Sequence, residues 1–141
     1  MAIRRLFIDL FLETQERAPN EIILDLDATD DPVHGEQEGR FFHGYCDCYC
    51  YLPLYVFCGR HLLDAKLRRA NIDPAAGAVE EVARIVAQIR RRWPLVRILL
   101  RADSGFAREE LIGTDSSTCP LQASEDSNVF ETARQRNCIV P

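Results

Sequence analysis

Glu21-Ile22-Ile23-Leu24-Asp25-Leu26-Asp27-Ala28-Thr29 is the stretch on which the fold of this chain turns. Ile and Leu make it a strand apolar enough to lie inside a sheet, and aspartates stand at its C-terminal end. A second run of the same kind, Val96-Arg97-Ile98-Leu99-Leu100-Arg101-Ala102, ends on Asp103, which Ser104-Gly105-Phe106 carries into a turn. Carboxylates at the ends of neighbouring buried strands make a site for a hard divalent cation. Such a site suits phosphoryl transfer, in which metals stabilise both the attacking and the leaving oxygen.

Whether the two strands are neighbours depends on what joins them. Ile3 to Arg17 places Ile3, Leu6, Phe7, Leu10 and Phe11 at helical spacing and stops before Ala18-Pro19. After the strand at Glu21–Asp27, Asp30-Asp31-Pro32 and Gly35–Gly39 read as loop. Phe41–Tyr51 alternates and is aromatic, and Leu54–Cys58 is a short apolar run, so both are expected as strands in antiparallel arrangement. His61–Arg69 fits strand and helix alike. Asp73-Pro74 signals a helix start; Val79, Val82, Ile85, Val86 and Ile89 form its apolar stripe, and Trp93-Pro94 ends it. The strand after that helix arrives by a crossover connection, so it is expected parallel to the first strand and beside it. The fold class is therefore α/β: a mixed sheet of three antiparallel strands, a crossover helix and a fourth strand parallel to the first. A short helix is expected from about Ala107. The stretch 113–141 has little periodicity and reads as a weakly structured tail.

With 141 residues, 47% of them hydrophobic and 28% charged, the chain has the balance of one globular domain. No apolar run is long enough to span a bilayer, and the N-terminus lacks the features of a secretory leader, so a cytoplasmic protein is expected. The net charge of −5 argues against a protein that coats nucleic acid. The charge is unevenly placed, however: Glu21–Glu38 holds seven acids and no Lys or Arg, while Arg84–Arg108 holds seven arginines and one acid, Asp103. Arg84, Arg90, Arg91, Arg92, Arg97 and Arg101 can line a phosphate backbone, or some can form a solvated helix face. Cys46, Cys48 and Cys50 share one face of a strand, with His43 and His61 near in sequence, but single-residue spacing is wrong for zinc. A disulfide framework suits a cytoplasmic chain no better.

Asp25-Leu26-Asp27-Ala28-Thr29-Asp30-Asp31-Pro32-Val33-His34-Gly35, then Gln37-Glu38-Gly39-Arg40-Phe41-Phe42-His43-Gly44-Tyr45, and Leu100-Arg101-Ala102-Asp103-Ser104-Gly105-Phe106 closely resemble the DDE transposases of bacterial insertion sequences. The resemblance covers about Pro19 to Leu111. It implies a ribonuclease H-like core, incomplete at its C-terminus, in which residues 19–112 are the catalytic part, 1–18 the end of a lead-in and 113–141 a tail outside the family pattern. It further implies Mg²⁺ or Mn²⁺ as cofactor and DNA, both the ends of the insertion sequence and its target, as partner, with a homodimer in the full-length proteins. Carried over residue by residue, Asp27 and Asp103 are the first two catalytic and metal-binding acids, with Asp25 an alternative ligand. Arg90, Arg91, Arg97 and Arg101 are the DNA-contact candidates.

The family's third acid, a Glu on a helix well beyond the second Asp, has no counterpart here. Glu109 and Glu110 come too soon, and Glu131 fits by spacing only. A truncated or frame-shifted chain, inactive alone in strand transfer, is the expectation. A non-catalytic remnant acting as an interaction module and a metal-dependent nuclease of the same fold are the competing readings.

Overall fold

The computed structural model describes residues 2–44, 46–106, 122–123 and 136–140. In chain order its elements are α1 (Ala2–Glu13), β1 (Glu21–Ala28), β2 (Asp31–Pro32), β3 (Phe41–His43), β4 (Cys48–Tyr51), β5 (Leu54–Cys58), β6 (His61–Lys66), α2 (Ala78–Arg92), β7 (Arg97–Ala102), β8 (Gln122–Ala123) and β9 (Arg136–Val140). The main sheet has the order β6-β5-β1-β7-β9-β8. β1 runs antiparallel to β5, β5 antiparallel to β6, and β7 lies beside β1 and parallel to it. The mixed α/β sheet and the parallel arrival of the strand after α2 are as the sequence led one to expect, and they are compatible with a ribonuclease H-like fold.

The three antiparallel strands are not the ones expected. Phe41–Tyr51 is two short strands, β3 and β4, which pair with β2 in a separate three-stranded sheet of order β2-β4-β3. Asp47, at a φ of 50°, turns the chain between them, a conformation that Asp tolerates better than most residues. Residues 61–66 supply the third strand of the main sheet instead. Two pieces of the stretch 113–141 are strands as well, and β9 pairs antiparallel with β7 on the side away from β1. The short helix expected from Ala107 lies outside the described residues.

Alternation along β1 and β7 divides the sheet into two unlike faces. Ile22, Leu24, Leu26, Ile98 and Leu100 are buried beneath both helices, with Leu54, Val56 and Leu63 from the neighbouring strands. From α2 the buried set is Ala78, Val82, Ile85, Val86 and Ile89, while Val79, expected in that stripe, is at the surface. The helix begins at Ala78 rather than at Pro74. Asp73 accepts the Ala75 N–H at 2.8 Å in a tight turn, and Gly77, at a φ of 74°, redirects the chain before the helix starts. Arg68 pins this connection from within, donating to the carbonyls of Leu52, Pro74 and Ala76 at 2.8–2.9 Å.

α1 turns a different face inward from the one its apolar spacing implies. Ile8, Phe11 and Leu12 are buried, whereas Ile3, Leu6 and Leu10 are exposed. The reason is Arg4. Its guanidinium donates to both oxygens of Asp64 on β6, which is fully buried, and pairs with Glu81 on α2, which is 5% exposed. Lys66 at 2.9 Å and Arg84 at 3.1 Å complete the shell around Glu81, and Arg84 also reaches Asp64 at 3.2 Å. Five charged side chains thus join α1, β6 and α2 at the edge of the core. Taking such acids out of water is costly, and the pairing offsets that cost only while the set is complete.

Burial alone would raise the Glu81 carboxyl, but the hydrogen bonds from Arg4, Lys66 and Arg84 outweigh it and hold the group at about 2, below its ordinary 4.5. A depressed value in the folded state means that the contribution is whole above pH 4.5 and is lost as pH falls from there toward 2. Denaturant melts at a series of pH values should show stability dropping through that window, and a Glu81→Gln variant should show a shallower drop. Asp64→Asn, which leaves two arginines facing a neutral amide in a buried position, should cost about 3–5 kcal/mol at pH 7.

Candidate functional site

The parallel register of β1 and β7 runs Glu21↔Arg97, Ile23↔Leu99, Asp25↔Arg101 and Leu26↔Ala102. Partners in a parallel ladder point to the same face, and neighbouring strands lie about 4.8 Å apart. Continued by one residue, the register sets Asp27 beside Asp103. Asp27 follows Leu26 on the face turned away from the helices, Asp103 follows β7 directly, and both are exposed.

That face carries a ladder of opposite charges. Arg97 is ion-paired with Glu21. One step along, the Arg101 guanidinium holds both oxygens of Asp25, with Nη2 to Oδ2 at 2.9 Å, and that pairing raises the guanidinium further above its ordinary value. At the next step the pattern breaks, because the register continued beyond Leu26↔Ala102 would set an acid beside an acid. Among the described residues neither Asp27 nor Asp103 has a cationic partner; each is instead held by a neutral donor. The Thr29 hydroxyl donates to Asp27 Oδ2 at 2.7 Å, and the Gly105 N–H donates to Asp103 Oδ1 at 2.9 Å. A Cβ on Gly105 would come within 3.0 Å of that same oxygen, so the turn after β7 needs glycine to keep the carboxylate where it is. On its other side Asp27 pairs in register with Tyr55 of β5.

Of the acids open to choice in the sequence, Asp25 is thus fully engaged by Arg101 and Asp27 is not. Glu109, Glu110 and Glu131 lie outside the described residues. The four arginines divide between two sides of the sheet. Arg97 and Arg101 share the face of the aspartates, whereas Arg90 and Arg91 stand at the C-terminal end of α2, on the helix side. Arg90 donates to the carbonyls of Pro94 and Val96, where α2 passes into β7.

A second cluster of metal-ligating side chains lies just beyond the end of β1. Asp30 Oδ1 is 3.4 Å from His43 Nδ1 and 4.0 Å from Cys50 Sγ, and the ligand atoms of these three residues all lie within 4.8 Å of one another. Cys46 donates its thiol proton to Asp30 Oδ2 at 3.0 Å, and that hydrogen bond pushes the thiol up to about 11. His61, the other histidine weighed from sequence, is elsewhere, its ring 5.4 Å from that of Phe11. Cysteine spacing with His43 and His61 nearby does not reveal this cluster, because Asp30 comes from a separate segment of the chain.

Two acids side by side without a cation repel each other, so the metal-free protein is less stable for having both. Asp103→Asn keeps the side-chain oxygen that Gly105 needs and removes the charge. In EDTA its Tm should exceed that of the unaltered protein by about 2 °C. Adding Mg²⁺ should raise the unaltered protein and leave the variant where it was.

Residues 1–118 match the family model described as transposase DDE domain group 1. The match begins ahead of β1 and takes in α1 as well as β1–β7. No curated protein and no solved structure matches the chain.

Proposed function

This chain belongs to the transposase DDE domain family, and from that premise we propose that Asp27 and Asp103 together hold the divalent cation of a site for cutting and joining DNA strands. Family membership brings with it a DNA substrate and the use of divalent metal. The finer assignments are the proposal: Mg²⁺ or Mn²⁺ as the ion, the ends of an insertion sequence and a target as the DNA, and a homodimer acting in the cytoplasm. No helix among the described residues is long and apolar enough to cross a membrane.

The observation that carries the reading is the break in the charge ladder. Glu21 and Asp25 of β1 are each matched by an arginine of β7, and the same register continued past Leu26↔Ala102 would set the carboxylate of Asp27 beside that of Asp103. The donor set is two exposed carboxylates, the hard oxygen ligands that Mg²⁺ and Mn²⁺ prefer. Once bound, such an ion activates a water or sugar hydroxyl and stabilises the leaving oxygen.

The chain's own residues prepare that site. Thr29 holds one oxygen of Asp27 and the Gly105 N–H holds one oxygen of Asp103, which leaves each carboxylate an oxygen for a ligand. Arg101, by occupying Asp25, keeps a third carboxylate from competing for the ion. Arg97 and Arg101 lie on the side from which DNA would approach these acids, and their attraction for a phosphate backbone makes binding fall steeply with salt. Arg90 and Arg91 would serve a second stretch of duplex on the helix side. No acid is assigned as the third ligand, because Glu109, Glu110 and Glu131 all lie outside the described residues. Strand transfer needs its ligands complete and rigidly placed, so this chain by itself does not join strands.

A strand-joining assay on DNA carrying the ends of the insertion sequence, with Mg²⁺, tests this. The chain alone should give no joined product. Supplied with a C-terminal segment bearing a Glu on a helix, it should give cleaved and joined strands, and Asp27→Ala or Asp103→Ala should abolish both. Joined product from the chain alone would refute the incomplete site. Activity indifferent to both alanine substitutions would refute the residue assignment, and cleavage without joining would point to a nuclease.

A further inference from the structure

The three-stranded sheet β2-β4-β3 has almost no hydrophobic core of its own. Its buried cluster is Cys50, Leu52 and Ala70, and Phe41, Phe42 and Tyr49 lie exposed on its surface. An assembly this small needs a staple such as a metal ion to hold a fixed shape. Four side chains able to bind one converge where this sheet meets the end of β1.

We propose that Asp30, His43, Cys46 and Cys50 form a zinc site, distinct from Asp27 and Asp103, that fastens the small sheet to the end of β1. Three observations carry it. The ligand atoms of Asp30, His43 and Cys50 are already gathered within 4.8 Å. Ligands at 2.0–2.3 Å around a tetrahedral zinc are separated by roughly 3.5 Å. The contacts of Asp30 Oδ1 with His43 and Cys50, at 3.4 and 4.0 Å, bracket that value, and Cys46 stands beside this group, 3.0 Å from the other oxygen, Oδ2. Second, His43 Nδ1 is a buried nitrogen without a hydrogen-bond partner, and it faces the Asp30 carboxylate at 3.4 Å. Leaving such a nitrogen unmatched is costly, and a metal bond removes the cost. Third, the chain spacing is suitable once Cys48 is passed over. His43 and Cys46 have two residues between them, and Cys46 and Cys50 have three, within the range usual for zinc ligands.

The donor chemistry selects the metal. Two thiols, an imidazole and a carboxylate suit a borderline-soft ion in tetrahedral coordination, whereas Mg²⁺ requires oxygen ligands in an octahedron. Binding releases the protons of both thiols to solvent, so that two thiolates and one carboxylate offset the charge of the ion. With four protein ligands the site is closed and its role is structural. Asp30 lies three residues beyond Asp27, and fixing Asp30 also fixes the Thr29 turn whose hydroxyl holds the Asp27 carboxylate.

The test is metal binding by the whole purified chain. Elemental analysis should find one zinc per chain, and Co²⁺ substituted for it should give the visible bands of tetrahedral cobalt with a thiolate charge-transfer band. His43→Gln and Cys46→Ser, at positions that are not fully buried, should each weaken zinc affinity by at least about 100-fold and weaken the cobalt spectrum. Cys50→Ser removes a residue of the small core, so those two variants carry the test. Cys58→Ser on β5 and Asp103→Asn should leave zinc affinity unchanged. Failure of this site and failure of the Asp27–Asp103 site are therefore told apart. Absence of bound zinc, or equal zinc affinity in His43→Gln and Cys46→Ser, would overturn the proposal.

Discussion

The parallel pairing of β1 with β7 is the constraint on which the rest depends. Two strands far apart in the chain are brought side by side because α2 carries the chain back across one face of the sheet and returns it in the same direction. The pairing has a definite register because a slip of one residue would move Ile98 and Leu100 out from beneath the helices and drive Arg97 and Arg101 into the core. Hydrophobic burial on one face therefore determines what stands beside what on the other. The packing of Leu24, Leu26, Ile98 and Leu100 thereby sets the register whose continuation would bring Asp27 beside Asp103.

The same face shows what is unusual about that last position. Glu21 with Arg97 and Asp25 with Arg101 are ordinary cross-strand ion pairs, exposed enough that each contributes little to stability. Their interest lies in the contrast. A sheet that matches acid to base twice and whose register would next set acid beside acid gives up favourable electrostatics where a bound cation would restore it. On the helix side the buried acids Asp64 and Glu81 are each held by cations from Arg4, Lys66 and Arg84, and that network joins elements rather than exposing groups for chemistry. The two charge arrangements therefore serve different ends.

β1, β7 and the helix between them are legible in the sequence because buried parallel strands read as plain apolar runs and the crossover has one favoured hand. The aspartates are legible for the same reason, as the acids that stand at the C-terminal ends of those runs. Other features turn on distant partners. The inward face of α1 is set by Asp64 and Glu81, which Arg4 must reach, and apolar spacing within Ile3–Phe11 carries no trace of them. Asp73-Pro74 is a genuine turn signal, but Gly77 separates the turn from the helix. Phe41–Tyr51 keeps a period of two through a reversal at Asp47, and Phe41 and Phe42 are exposed, so alternation there does not report burial. The Asp30, His43, Cys46 and Cys50 cluster was hidden because its acid and its thiols belong to different strands and turns, which spacing rules within one segment do not join.

The central claim is that the carboxylates of Asp27 and Asp103 share one ion, and counting Mn²⁺ bound by the purified chain tests it most directly. Electron paramagnetic resonance of free Mn²⁺, with zinc added beforehand to fill thiolate ligands, gives stoichiometry and affinity together. The account predicts one Mn²⁺ per chain, with Asp27→Asn and Asp103→Asn each weakening its binding about tenfold or more and Asp25→Asn leaving it in place. An unchanged affinity in either of the first two variants, or two ions of which each variant loses one, would contradict it.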